Sequence, residues 1–147
     1  MTTQREGMRK LRAVSDASVL IHLSAIGRFH LLMDLFQGIV IPKGVYEEVR
    51  NISYEYGISI SNAEVIQLAK EMNAEVVLAD EEEVREGAEE GGFDVRGCLG
   101  ILLESVKRGI LTPQKAMQDV DGLVESGYRV SEEVVNKVKE ILRRWES

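Results

Sequence analysis

Short unbroken apolar runs that alternate with helical stretches constrain this chain most. LRAVSD (11–16), GIVIP (38–42) and AEVVLAD (74–80) are such runs. FDV (93–95) is a candidate short fourth strand. A strand with one wet face alternates apolar and polar residues, whereas these runs are mainly apolar on both faces. Unbroken runs belong to parallel sheets covered by helices on both faces. The expected fold is therefore α/β: a three-layer α/β/α domain with a small central parallel sheet and a helical C-terminal tail.

The intervening segments carry helical signals. SVLIHLSAIGRFHLLMDLF (18–36) spaces its leucines helically and is divided at Gly27. GVYEEVRN (44–51) begins a helix, and SYEYGISI (53–60) reads as either a short strand or a loop. In SNAEVIQLAKEMN (61–73), Ser61 and Glu64 form an S-x-x-E capping box, with Val65, Leu68, Ala69 and Met72 on the inner face. Helices follow at 80–92 and 98–109, each closed by glycine. TPQKAMQDVDGLVESG (112–127) has Thr112 as N-cap and Pro113 behind it. SEEVVNKVKEILRRW (131–145) carries an apolar stripe of Val134, Val135, Val138, Ile141 and Leu142. Its acids come early and its bases late, which suits the helix dipole.

Length and composition narrow the class. The 147 residues fit one domain, with 44% hydrophobic residues to build a core. Residues 1–10 are polar and basic, read as a flexible arm before a single domain at 11–147. No apolar run reaches the ~20 residues of a membrane helix, and a cytoplasmic setting is expected. The lone cysteine, Cys98, forms no internal disulfide and no cysteine-rich zinc site; it reads as a small core residue. Residues 80–94 hold eight acids and one base, and the rest of the chain is neutral. The net charge of −7 is thus one acidic patch. No basic stripe of the kind that coats duplex DNA is evident.

Two of the apolar strands end in aspartate, at Asp16 and Asp80. Ligands of open parallel sheets sit at the carboxyl ends of the strands. If these strands are neighbours, the two carboxylates share a crevice, repel, and raise each other's pKa. A hard divalent cation relieves that repulsion and takes further oxygens from water and phosphate. Other chemistries lack their motifs: there is no phosphate-binding G-x-x-x-x-G-K-[ST], no strand-following G-x-G-x-x-G and no G-x-S-x-G. His22 and His30 fall on a helical hairpin without a partner at metal spacing, and read as structural or surface residues.

Blander roles stand beside these. Asp16 also suits the N-cap of the helix after its strand. Asp80 with Glu83 makes D-x-x-E, another capping pattern. Glu48 sits in a Glu47-Glu48 pair of which one member must face solvent. Glu64 suits the capping box better than a ligand role.

At this point the motifs resemble a known family. SDASVLI (15–21) is similar to the opening of PIN domains, above all of a subgroup of archaeal and bacterial PIN proteins beginning S-D-T/S-S-P-L-I. IPKGVYEEV (41–49), SNAEVIQLAKEMNAEVVLADEEEVR (61–85), GCLGILLESVKRGILT (97–112) and SGYRVSEEVV (126–135) match later motifs of the subgroup, in order. The resemblance covers nearly everything after residue 10. It implies a VapC-like, metal-dependent ribonuclease acting on single-stranded RNA through a cluster of acids that binds Mg²⁺ or Mn²⁺. Carried over residue by residue, it makes Asp16, Glu48 and Asp80 the catalytic and metal-binding acids, with Ser18 supporting Asp16. It also implies a homodimer and, as in VapBC-type toxin–antitoxin pairs, a small antitoxin protein as partner.

The chain departs from the subgroup in three places. Asn62 stands where the subgroup has the first acid of G-E-A-E; it keeps a carbonyl oxygen and loses the charge. Glu64 matches the second acid, two residues on and about 200° around a helix. Only 13 residues separate Glu48 from Asn62, fewer than in the subgroup, and Ala17 replaces its Thr or Ser. These departures support an alternative of another class, a catalytically impaired PIN-like module that binds nucleic acid or protein.

Overall fold

The computed structural model describes residues 10–42, the backbone of 59–61, and residues 65–146. Glu48, Asn62 and Glu64 lie outside the described residues, as do the helix expected at 44–51 and most of the N-terminal arm.

Five described strands form one sheet: β1 (Leu11–Ser15), β2 (Phe36–Pro42), β3 (Ser59–Ser61), β4 (Val76–Leu78) and β5 (Asp94–Arg96). Their order is β3-β2-β1-β4-β5, and every pairing is parallel. Seven helices are described: α1 (Ala17–Ala25), α2 (His30–Leu35), α3 (Val65–Glu71), α4 (Glu82–Glu90), α5 (Cys98–Lys107), α6 (Pro113–Glu125) and α7 (Glu132–Trp145). No helix among them is long and apolar enough to cross a membrane.

The two central strands are buried on both sides, β1 over residues 13–15 and β4 over Val76–Leu78. Ala13 of β1 and Val76 and Leu78 of β4 face a core shared with α1, α2, α5, α6 and α7. Val14 and Val77, one residue out of step, face a smaller core with Leu68 and Ala69 of α3 and Ala88 of α4. This is the period-two alternation of a strand read with apolar residues at every position. The acidic helix α4 contributes only Ala88 as a fully buried residue and turns its glutamates to solvent.

Local signals account for the helix ends. Thr112 and Ser131 accept backbone N–H groups of Lys115 and Val134, both at 3.2 Å. Gly27, Gly92, Gly109 and Gly127 take positive φ just past α1, α4, α5 and α6. Two expected apolar faces are narrower than the pattern implied. Met72 lies one residue beyond the end of α3 and is 48% exposed. Val134 is 40% exposed in the first turn of α7, ahead of the point where Val138 and Leu142 enter the core. The ambiguous segment before Ser61 ends as a strand, β3, on the sheet edge.

Candidate active site at the strand ends

The chain runs outward from β1 to β2 and β3, then returns to place β4 on the other side of β1. Helices that leave β1 and β4 depart in opposite senses, which opens a crevice at their carboxyl ends. The register fixes what lies there. Ser15 pairs with Leu78, and the Asp16 N–H donates to the Leu78 carbonyl at 3.0 Å. Asp16 and Asp80 therefore follow adjacent strands into one crevice, as their positions in the sequence suggested.

Asp16 is 6% exposed and caps α1. Its Oδ1 accepts the Val19 N–H and the Ser18 hydroxyl, each at 3.2 Å. Its Oδ2 is buried without a hydrogen-bond partner among the described residues. Such an atom is costly for a carboxylate, and the carboxyl responds. Burial pushes Asp16 up to about 6; the Val19 N–H and Ser18 hydroxyl pull down, while Asp80 and Glu81 add repulsion. The cap thus uses one oxygen of Asp16 and leaves the other without a partner among the described residues.

Asp80 is held from another direction. Its Oδ1 accepts the Cys98 N–H at 3.0 Å and the Tyr128 hydroxyl at 2.7 Å. Its Oδ2 accepts the Cys98 thiol at 3.1 Å. Burial and the neighbouring Asp80 carboxylate push both the thiol and the phenol far up, so each stays protonated and donates. Gly97 lets this happen: a Cβ there would overlap Asp80 Oδ1 and press on the Arg85 guanidinium. Asp80 does not cap α4; Glu81 occupies that position without a side-chain cap bond.

A cleft of about 730 Å³ opens beside these groups. Ser18, His22, Asp80, Glu81, Glu82, Glu83, Tyr128 and Arg129 line it. The His22 and Tyr128 rings meet edge to face, with centroids 5.1 Å apart at 83°. The lining is strongly anionic, with Arg129 the one cationic side chain on it among the described residues.

A family model described as a PIN domain matches residues 12–62 and 52–146, which is most of the chain. The chain belongs to the PIN-domain family. No curated protein and no solved structure matches it. The α/β/α fold with an all-parallel sheet agrees with membership. The two matched stretches overlap over residues 52–62.

A PIN domain is a nuclease-type module, and PIN domains generally use divalent metals. The described residues fit part of such a site. Among the described residues, Asp16 Oδ2 is a buried oxygen without a donor and Asp80 Oδ2 has a thiol as its sole donor, the weakest in the set. Among the described residues no three acidic, histidine or cysteine groups converge closely enough to hold an ion by themselves. Glu48, Asn62 and Glu64, the other residues expected at this site, lie outside the described residues.

The structure thus brings together Asp16, Asp80 and Ser18. It adds residues that motif reading left aside. Cys98, read as a core residue, is fully buried yet spends its N–H and thiol on Asp80. Tyr128 lies 48 residues from Asp80. His22 is half-buried at the cleft, whereas His30 is exposed away from it. The only sequence signal for Tyr128 was its place in the SGYRVSEEVV motif.

Proposed function

We propose that this PIN domain is a Mg²⁺- or Mn²⁺-dependent endoribonuclease that acts on single-stranded RNA. The observation that carries the reading is the buried Oδ2 of Asp16, without a hydrogen-bond partner among the described residues, in the crevice where the charge of Asp80 is felt from the end of the adjacent strand. A cation bound here would offset the repulsion between the carboxylates and polarise water and a phosphate oxygen. Ser18 and the Val19 N–H fix the Asp16 carboxyl with its other oxygen free. Cys98 and Tyr128 fix Asp80. Glu48 is assigned as the third acid from the family motif, with Asn62 and Glu64 as supporting groups. Glu81, Glu82 and Glu83 repel an unneutralised phosphate backbone, while Arg129 offers it a counter-charge.

The test is cleavage of a labelled single-stranded RNA with Mn²⁺, with chelator, and with Asp16→Asn. The reading predicts cleavage in the first case only. Equal cleavage by Asp16→Asn would remove Asp16 from the chemistry and sink the proposal.

We further propose that the chain works as a cytoplasmic homodimer and as the toxin of a toxin–antitoxin pair. Induced expression should then arrest growth, and Asp16→Asn should not. Asn62 favours a second reading, because it withdraws one charge from the acid set of the family. On that reading the fold binds RNA or a protein partner without turnover, and no metal-dependent cleavage appears at any Mn²⁺ concentration.

A further inference from the structure

We propose that Tyr128 is a positioning residue that makes the turn between α6 and α7 part of the site by holding Asp80 in place. Its kinetic consequence rests on the nuclease reading; the contact itself does not. Asp80 leaves the end of β4 on a short irregular connection to α4 and is only partly buried where it lines the cleft, so the strand alone does not fix its rotamer. Two of its three donors come from Cys98, at the start of α5. The third is the Tyr128 hydroxyl, at 2.7 Å the shortest of them and the only hydroxyl. A neutral phenol donating to a carboxylate is a charge-assisted bond, roughly twice as strong as a neutral one.

Tyr128 is itself held. Its N–H donates to the Leu123 carbonyl at 3.0 Å, closing α6 just after Gly127, which takes φ +102. Its ring meets His22 of α1 edge to face. The turn therefore reaches both helices and strands that build the crevice: α1 through His22, and β4 through Asp80. Carboxylates that ligate a metal are themselves hydrogen-bonded, and losing such a partner typically weakens metal affinity or activity by about 10–100-fold.

Tyr128→Phe removes the hydroxyl and keeps the ring against His22. Tyr128→Leu removes both. The first measurement is a double-mutant cycle of Tyr128→Phe and Asp80→Asn, by denaturant unfolding of the metal-free protein. Coupling of about tenfold or more in the unfolding equilibrium constant is expected for this pair. Additive effects within twofold overturn the proposal, whatever the activity of the protein. The second is steady-state RNA cleavage with Mn²⁺. Tyr128→Phe should lower kcat about tenfold with KM within twofold. Coupling with unchanged kcat in an active enzyme also overturns it, because the bond would then be structural only. If the parent cleaves no RNA, the nuclease reading fails and the cycle alone decides whether Tyr128 fixes Asp80.

Discussion

Asp16 and Asp80 end neighbouring parallel strands, yet the described residues solvate them in opposite ways: Asp80 accepts three donors among them, while one buried oxygen of Asp16 finds no partner there. The imbalance makes Asp16 the strained member of the pair. Its carboxyl, ordinarily near 3.8, is pushed up to about 6, chiefly by burial. The folded state therefore holds its proton more tightly than the unfolded chain. Stability from this group is fully present below pH ~4 and is lost as pH rises through ~6.

Asp16→Asn removes that cost. A shift of about two units corresponds to roughly 3 kcal/mol. The buried amide gives back part of it, because its two N–H groups replace an oxygen that has no described hydrogen-bond partner. Asp16→Asn should stabilise the metal-free protein by about 1–2 kcal/mol at pH 7, with the gain gone at pH 4. Urea unfolding at both pH values checks this; a destabilised variant at pH 7 would show that Asp16 is not paying for burial.

Gly97 is needed for space, since its φ is an ordinary negative one. Gly97→Ala places a methyl group onto Asp80 Oδ1 and against Arg85. Overpacking of this kind costs about 1–3 kcal/mol. The variant should lose stability in that range in urea and lose Mn²⁺-dependent cleavage. Unchanged unfolding would show that the connection into α5 has slack.

Cys98 is fully buried with its thiol protonated. The thiolate is the form that attacks thiol reagents, so the native protein should react far more slowly with them than the unfolded protein in guanidinium. Cys98→Ser keeps a donor to Asp80 Oδ2 and should retain cleavage; Cys98→Ala, which drops it, should not retain full activity. Rapid labelling of the native thiol would contradict the described packing.

Arg28 donates from Nε to Asp119 Oδ2 at 2.7 Å, tying the α1–α2 turn to α6. Both groups are largely buried. Asp119→Ala leaves the guanidinium with a missing partner and should cost about 1–3 kcal/mol in thermal or urea unfolding, with RNA cleavage per folded molecule unchanged. Loss of cleavage in fully folded Asp119→Ala would extend the site to this pair.

The layered fold was legible because its signals are local or periodic. Apolar runs gave β1, β2 and β4; Gly27, Thr112, Pro113 and Gly127 marked helix ends. Asp16 and Asp80 were legible because they end such runs. The rest of the site was not, because it depends on contacts between distant segments. Nothing near Tyr128 or Cys98 signals a bond to Asp80, and spacing alone did not place His22 in the cleft. Asp16 bears out the capping reading, and its cap bond uses one oxygen and leaves the other without a partner among the described residues. Asp80 showed the reverse: its D-x-x-E pattern matched a cap that Glu81 occupies instead. Met72 and Val134 missed the core because a periodic stripe does not reveal where a helix leaves it.

The most direct test of the cation site is calorimetric titration of Mn²⁺ into the purified protein and into Asp16→Asn. Saturable binding by the parent that the variant loses is the predicted result. Absence of binding by the parent, or equal binding by both proteins, would contradict a cation site built on the bare oxygen of Asp16.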